Sequence, residues 1–558
     1  MLSPDVTSAT KEWLVMKAVI SKHPRVITAV LFALLFVAGL LTCGDYGAYF
    51  DEHSEEIILR QNLMEYTVNL LGNDSEPAQY YKSIGILRVT KTSEIDHGQA
   101  AFYPLAPFMT LMDTNLPLLS VLWHIMAWLW FMAGTLALYG LCRKMGLGRV
   151  AAFAGAMLLY LCPRFFAEGH YNNKDMVLLS LSLLTMYTGV ELWQKPTFWR
   201  ALLFSLVGAL CANTKIVGVC VWGLMGVGAV VLLSAQKRWN RQAVVSAVAA
   251  VLSFALFYFL LTPAMWSDPA HYFSYLLTNA TGFTRWDNYV LFRSMMYRHS
   301  VNPLPFYYLP YMMVVTTPLY VIALCAVGQL AALRLFWQSR KTLLKEPTPV
   351  LLLCSTLLWL LPLGFAMVSN PVVYNSWRHL YFIFAGLAVL GAWGLETLIR
   401  FMRAHAKKWQ QTTAVVLASL CFLTNATGIA MNHPYQYAYY NVVGSMLCPT
   451  DLQTGMELDY WGISGRDVLQ DAVAQLERPS TLTTYDEVSY LSLENTLYVL
   501  NEQERDKLIL VDSPHAGLVY INPTYNFMYG HEVPENYRLI SEIRSYGNII
   551  AQVYQRVD

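Results

Sequence analysis

Charge is what this sequence has least of. Only 13% of its 558 residues are Asp, Glu, Lys or Arg, against 56% hydrophobic, and the mean hydropathy is +0.38. A water-soluble core of this size does not need so much apolar sequence, which excludes a soluble globular domain and indicates a polytopic membrane protein. Net charge is lacking too, at +1 with no basic tail. Nothing draws the chain to nucleic acid, so the position of each charge matters more than the sum. No His-x-x-x-His or Cys-x-x-Cys spacing occurs, and no cofactor is expected, although His53 could join a divalent-cation site with the acidic residues beside it. There is no fixed-period repeat and no low-complexity stretch. The N-terminus has a long positive region but no small-x-small site after the apolar segment, so a retained anchor is expected rather than a cleaved signal.

Most of the nine cysteines lie in apolar runs, where a thiol serves as a small core residue. Only Cys43 and Cys448 fall outside them, and these could pair in an oxidising compartment.

Apolar stretches able to cross a bilayer fall near 26–42, 116–141, 150–162, 176–193, 199–213, 216–234, 243–262, 306–333, 349–368, 380–399 and 412–430. Lys11, Lys17, Lys22 and Arg25 precede the first. Basic loops around Arg143–Arg149, Lys195–Arg200, Lys237–Arg241, Arg334–Lys345 and Arg400–Lys408 define the cytoplasmic side. Residues 199–234 are read as two spans joined at Asn213-Thr214-Lys215, because one span would put every later basic loop outside. The other side receives 43–115, 163–175, 263–305, 369–379 and everything after about 431. The tail has short β-like runs separated by turn residues. The fold class is therefore an all-α polytopic membrane protein of about eleven transmembrane helices, residues 1–431. A small exoplasmic mixed α/β domain, 432–558, follows.

An acidic cluster, Asp51, Glu52, Glu55 and Glu56, follows the first span. Exoplasmic loops should be poor in Lys and Arg, yet Arg164, Lys174, Lys215, Arg285, Arg293, Arg298 and Arg378-His379 lie in or beside them. Cations at the membrane boundary facing carboxylates suggest an anionic ligand beside an acid/base centre, and phosphate is the obvious anion. Outside the cytoplasm a transferase has no nucleotide sugars or ATP. Its activated group would come from a phosphate-bearing lipid, with polyprenyl phosphate leaving against fixed cations. The acceptor hydroxyl needs a base, which suits Asp51, with Glu52 or Asp175 orienting. Trp266, Trp286 and Tyr374 in these loops could stack on sugar.

These residues together resemble the GT-C glycosyltransferases of the protein O-mannosyltransferase and aminoarabinose transferase superfamily. The resemblance rests on several motifs: Asp51-Glu52; Pro163-Arg164-Phe165-Phe166 with Asn172-Asn173-Lys174-Asp175; Thr214-Lys215; Trp377-Arg378-His379-Leu380-Tyr381; and His433-Pro434-Tyr435-Gln436-Tyr437 running into Tyr440-Asn441. It implies a GT-C fold and a catalytic set of Asp51, Glu52 and Asp175, with Asp51 as general base. It also implies that Lys174, Lys215, Arg378 and His379 meet the donor phosphate. Asn172, Asn173 and Trp377 either shape the site or cap helices. The implied partners are a polyprenyl-phosphate sugar donor, membrane lipids and a lipid, glycan or protein acceptor. The implied location is a bacterial cytoplasmic membrane, with the site facing the exterior. Nothing matches the β-trefoil insert of eukaryotic protein mannosyltransferases, so the acceptor need not be protein. The segment Glu457-Leu458-Asp459-Tyr460-Trp461 also resembles the family and is expected to dock the tail. The rival reading is a multi-pass transporter or lipid flippase of the envelope. That would require charges deep inside spans and half-to-half symmetry, and neither is visible.

Overall fold

The computed structural model describes residues 23–111, 115–281 and 286–557. Lys11, Lys17, Lys22 and Arg285 lie outside the described residues. Every stretch expected to span meets a helix. In chain order these helices are α1 (Pro24–Leu41), then α2 (Glu52–Leu71) in the first loop, α3 (Leu116–Lys144), α4 (Arg149–Tyr160), α5 (Pro163–Tyr171), α6 (Asp175–Gln194), α7 (Phe198–Thr214), α8 (Gly218–Ala235), α9 (Arg241–Leu261), α10 (Leu319–Gln338), α11 (Pro347–Ser369), α12 (Phe384–His405) and α13 (Lys408–Met431). Among the described residues, nine helices are long and apolar enough to cross a membrane. The pair α4 and α5, bent by 69°, makes a tenth if it counts as one broken span, and the 17-residue α7 is a shorter apolar helix.

Two expectations change. The stretch 306–333 is not one helix: Tyr308–Thr316 ends before Pro318, and α10 starts after it. Proline lacks an amide hydrogen and disfavours helix at the residue before it. The first loop is largely helical. Asp51, Glu52 and Glu55 stand at the start of the 20-residue α2, where carboxylates oppose the positive end of the helix dipole.

The spans pack through small residues. A Cβ on Gly328 of α10 would sit 1.8 Å from the Leu390 carbonyl oxygen of α12, and one on Gly394 of α12 would sit 2.2 Å from that of Leu324. Backbones meet directly at this crossing, the usual way for helices to associate where lipid is as apolar as leucine.

The tail enters the fold at residues 432–464, which pack on the membrane helices. The Asn441 amide donates to the carbonyls of Val314 at 2.7 Å and Thr317 at 2.8 Å. Beyond it come α14 (Gly465–Ala474), α15 (Glu487–Val499) and α16 (Pro523–Tyr529). A hairpin of β1 (Val290–Phe292) and β2 (Met295–Tyr297) lies in an earlier loop. The tail sheet contains β3 (Ser480–Thr483), β4 (Leu508–Leu510), β5 (Leu518–Ile521), β6 (Tyr537–Ser545) and β7 (Asn548–Arg556), in the order β4-β3-β5-β7-β6. β3 is parallel to β4 and β5, while β7 is antiparallel to β5 and β6. Val468, Leu469, Leu482, Leu493, Leu518 and Val553 form its core. The tail is held against the first loop by Arg466, which donates at 2.9 Å to the carbonyls of Gly44 and Tyr46. All nine cysteines are free, so Cys43 and Cys448 do not pair. Cys43 is buried, its thiol donating to the Gly39 carbonyl within the end of α1.

Candidate functional site

A cavity of about 280 Å3 opens where the first loop, the loop before α6, the α7–α8 turn, residues 286–289, residues 374–379 and the tail converge. Asp51, Lys174, Asp175, Lys215, Arg378 and His379 all line it. Six of the seven residues nominated from the sequence are thus brought together.

Asp51 is the N-cap of α2 and retains 38% side-chain exposure. Burial of its surroundings raises its carboxyl above the usual aspartate range, although Arg378 pulls the other way. Asp175 opens α6, where the Asn172 side-chain Oδ1 accepts from its backbone amide at 2.8 Å and from that of Lys174 at 3.2 Å, a local turn that fixes the start of the helix. Lys215 lies at the C-cap of α7 and reaches Asp175 Oδ1 at 2.5 Å. The Arg378 guanidinium stands between the two aspartates, 3.5 Å from Asp51 Oδ2 and 3.9 Å from Asp175 Oδ2. It is sandwiched by Trp461, 4.3 Å from the ring centroid, and Tyr374 at 4.8 Å. Its Nε is buried with no hydrogen-bond partner. A buried donor without an acceptor is costly, and two long ion pairs leave this cation poorly satisfied. An anion entering the cavity would satisfy it.

Glu52 is not in the cavity. It is 3% exposed and accepts from the Ser120 hydroxyl, from the Tyr49 amide at 3.3 Å and, at 3.0 Å, makes a contact with His124 Nε2. It faces a separate small void with His53 and Glu56. Glu55 lines the cavity instead. It accepts from Gln99 and from Asn173 at 3.0 Å, and pairs with Lys174 at 3.4 Å. Burial raises its carboxyl, but Lys174, His97, Asn173 and Gln99 outweigh that and hold it below the usual glutamate range. Asp51 and Glu55 share a helix face and are pushed in opposite directions, which is how two carboxylates acquire different duties. The spacing of four that puts them together also sends Glu52 and Glu56 to another face. Reading the loop as helix would have found this.

The other candidates separate in the same way. His53 stacks on Tyr498 at 4.3 Å, and among the described residues no group of three or more His, Cys, Asp or Glu could hold a metal ion. Asn173 ties Glu55 to the Tyr49 hydroxyl. Trp377 is buried and donates to Thr316 at 2.9 Å. Arg164 is buried against Ser376 and the Tyr439 carbonyl, and Arg298 pairs with Asp287. Neither Arg293 nor Arg298 lines the cavity, whereas Trp286 and Tyr374 do. The segment 457–461 docks the tail, since the Tyr460 hydroxyl donates to Glu168 at 2.8 Å and the Trp461 carbonyl accepts from Phe50. It also supplies the ring on which Arg378 lies, a contribution no sequence signal marked.

Residues 96–266 match the family model of the dolichyl-phosphate-mannose-protein mannosyltransferases. The match bears out the resemblance drawn from the motifs and covers Lys174, Asp175 and Lys215, while Asp51 and Arg378 lie outside it. The chain is similar in structure to ArnT from Cupriavidus metallidurans bound to undecaprenyl phosphate, with a TM-score of 0.42 and 13% identity over 94% of this chain and 97% of that one. It is also similar to the Archaeoglobus fulgidus oligosaccharyltransferase in its apo form, with a TM-score of 0.44 and 11% identity over 85% of this chain and 65% of that one. No curated protein sequence matches.

Proposed function

We propose that the chain is a membrane glycosyltransferase that moves a sugar from a polyprenyl-phosphate donor to the hydroxyl of a lipid, glycan or protein acceptor. The carrying observation is Arg378, a buried cation with an unpartnered Nε, set between two aspartates beside Lys215 and Lys174. In this reading the donor phosphate sits on Arg378, Lys215 and Lys174, with His379 beside them. Asp51, the aspartate with open access to the cavity, accepts the proton of the acceptor hydroxyl. The acceptor oxygen bonds to the anomeric carbon as the bond from that carbon to the phosphate oxygen breaks. The lipid phosphate leaves with the bonding pair, and the fixed cations stabilise its charge. Asp175 holds Lys215 and helps fix Arg378, a positioning role. Three cations already face the leaving group, so no metal is assigned to the reaction, and transfer should survive dialysis against EDTA. In this reading the cavity faces the exterior, the side opposite the basic loops, and the family resemblance makes the membrane a bacterial cytoplasmic one.

The test is transfer from radiolabelled polyprenyl-phosphate sugars into membrane lipid, glycan and protein fractions, comparing purified wild type with Asp51→Asn. Transfer by wild type that vanishes in the variant supports the reading. Folded wild type that consumes no donor in the presence of these acceptors overturns it.

A further inference from the structure

The aromatic residues of the cavity do not all do the same thing. Trp461 is 2% exposed and is packed edge-on against Tyr49 and Tyr171, so the face it offers is taken up by Arg378. Tyr374 also carries Arg378, but it is only half-buried and continues into Trp286, with ring centroids 4.8 Å apart and planes at 48°. Trp266, the other aromatic residue singled out in these loops, is not there, because its indole donates to the Phe259 carbonyl at 2.7 Å. Two half-buried amides line the cavity beside Trp286 and Tyr374: Asn288, whose Oδ1 accepts from the Tyr289 amide at 2.8 Å, and Asn375, which lies against Glu457, and Tyr529 of the tail lines it as well.

This wall has the chemistry of a sugar site. The face of an aromatic ring is electron-rich and flat, and one face of a pyranose presents a row of weakly positive C–H groups, so the two stack. A planar amide offers a donor and an acceptor side by side, matching neighbouring hydroxyls. Tyr374 borders both halves of the cavity. A phosphate held by Arg378 therefore leaves a sugar bonded to that phosphate next to the aromatic wall.

We propose that Trp286, Tyr374, Asn288 and Asn375 form a subsite for a pyranose ring adjoining the cation cluster, with Tyr529 closing it from the tail. The proposal rests on the glycosyl-transfer reading above and names the part of the cavity that selects the sugar. The ring belongs either to the lipid-linked donor or to a glycan acceptor, and the ligands used in the test separate these sources.

Purified full-length wild type, Trp286→Leu and Trp286→Tyr are titrated with undecaprenyl phosphate, with an undecaprenyl-phosphate hexose and with a methyl hexoside. Trp286→Leu is expected to weaken binding of the sugar-bearing lipid by about tenfold and to leave the sugar-free lipid unchanged, with Trp286→Tyr restoring most of the loss. A loss confined to the methyl hexoside assigns the ring to the acceptor. Equal loss for sugar-free and sugar-bearing lipid, or no change for any ligand, overturns the subsite. Should Trp286→Leu fail to fold, Asn288→Ala takes its place, read by the same difference between the two lipids. Wild type that binds undecaprenyl phosphate but gains nothing from either sugar overturns the subsite alone. Wild type that binds no polyprenyl phosphate overturns the glycosyl-transfer reading as well.

Discussion

At the residue scale, the adjacent acids Asp51 and Glu52 should fail in different ways. Asp51 reaches the cavity, so Asp51→Asn should lower kcat by about 100- to 10,000-fold, the usual worth of a general base, with little change in Tm. Glu52 is buried, accepting from Ser120 and Tyr49 and in contact with His124, so Glu52→Gln should cost about 1–3 kcal/mol of stability, and the folded fraction should keep most of its activity. Comparing kcat with the melting curve of each variant checks both, and a Glu52→Gln protein of normal Tm without activity would reverse the assignment. Burial raises the Asp51 carboxyl, and the base works only when ionised. The acid limb of kcat/KM should therefore lie at higher pH than an ordinary aspartate gives. Glu56 offers a stability test with the opposite use of pH. Burial first, then the neighbouring Glu52, pushes its carboxyl from 4.5 up to about 8. Between those values the unfolded chain has lost the proton and the folded one keeps it, so this group makes the protein less stable as pH rises through that window. Glu56→Gln removes the penalty, and its gain in Tm over wild type should be larger at pH 8 than at pH 5.

At the element scale, hydropathy located the spans because lipid accepts only long apolar helices whose backbone groups pair internally. It did not show α2, whose buried residues include Glu52, Glu55, Glu56, Arg60 and Glu65, so no apolar stripe betrays the helix. It also ran through Pro318, because proline counts as nearly neutral in an apolar window while breaking the helix geometrically. The strap formed by residues 98–105, ahead of α3, was equally silent, yet it is firmly held. The Asn213 side-chain Oδ1 accepts from the Ala100 amide at 2.9 Å, and a Cβ on Gly98 would sit 2.1 Å from the Asn213 backbone oxygen. Gly98→Ala must therefore push the strap away from the end of α7, carrying with it Gln99, which donates to Glu55, and the Gly98 carbonyl facing Lys174. We expect a loss of about 1–3 kcal/mol from such overpacking, together with a fall in transfer beyond what the unfolded fraction explains. Tm and kcat measured on the same preparation check this, and a variant with lowered Tm but wild-type kcat would show that the strap does not set the site.

At the scale of the whole molecule, the site is assembled from segments hundreds of residues apart. Its charged members were legible because a Lys, Arg or Asp at the membrane boundary stands out in a chain with so few charges. Its aromatic members were legible only in part: Trp286 and Tyr374 line the cavity, Trp266 does not and Trp461 was missed, because 14% of the residues are Phe, Trp or Tyr and only the fold chooses among them. Which side of the membrane the cavity faces depends on whether residues 198–235 cross it once or twice. α7 is about 26 Å long at 1.5 Å per residue, a little short of a 30 Å hydrocarbon core, which invites reading it with α8 as one element. The packing excludes that. A Cβ on Gly218 would meet the Cys211 backbone at 2.4 Å, and one on Gly208 would meet the Trp222 ring at 2.3 Å. Contacts that move backward along α7 as they move forward along α8 describe an antiparallel hairpin, so the chain returns to its starting side. Lys341, between α10 and α11, should then lie in the cytoplasm and Glu494, in α15 of the tail, outside. In intact cells a membrane-impermeant maleimide should label Glu494→Cys above the wild-type background and leave Lys341→Cys unlabelled until the membrane is opened. Labelling of Lys341→Cys alone would invert the topology and put the cavity on the side where nucleotide sugars are available, removing the reason for a lipid-linked donor.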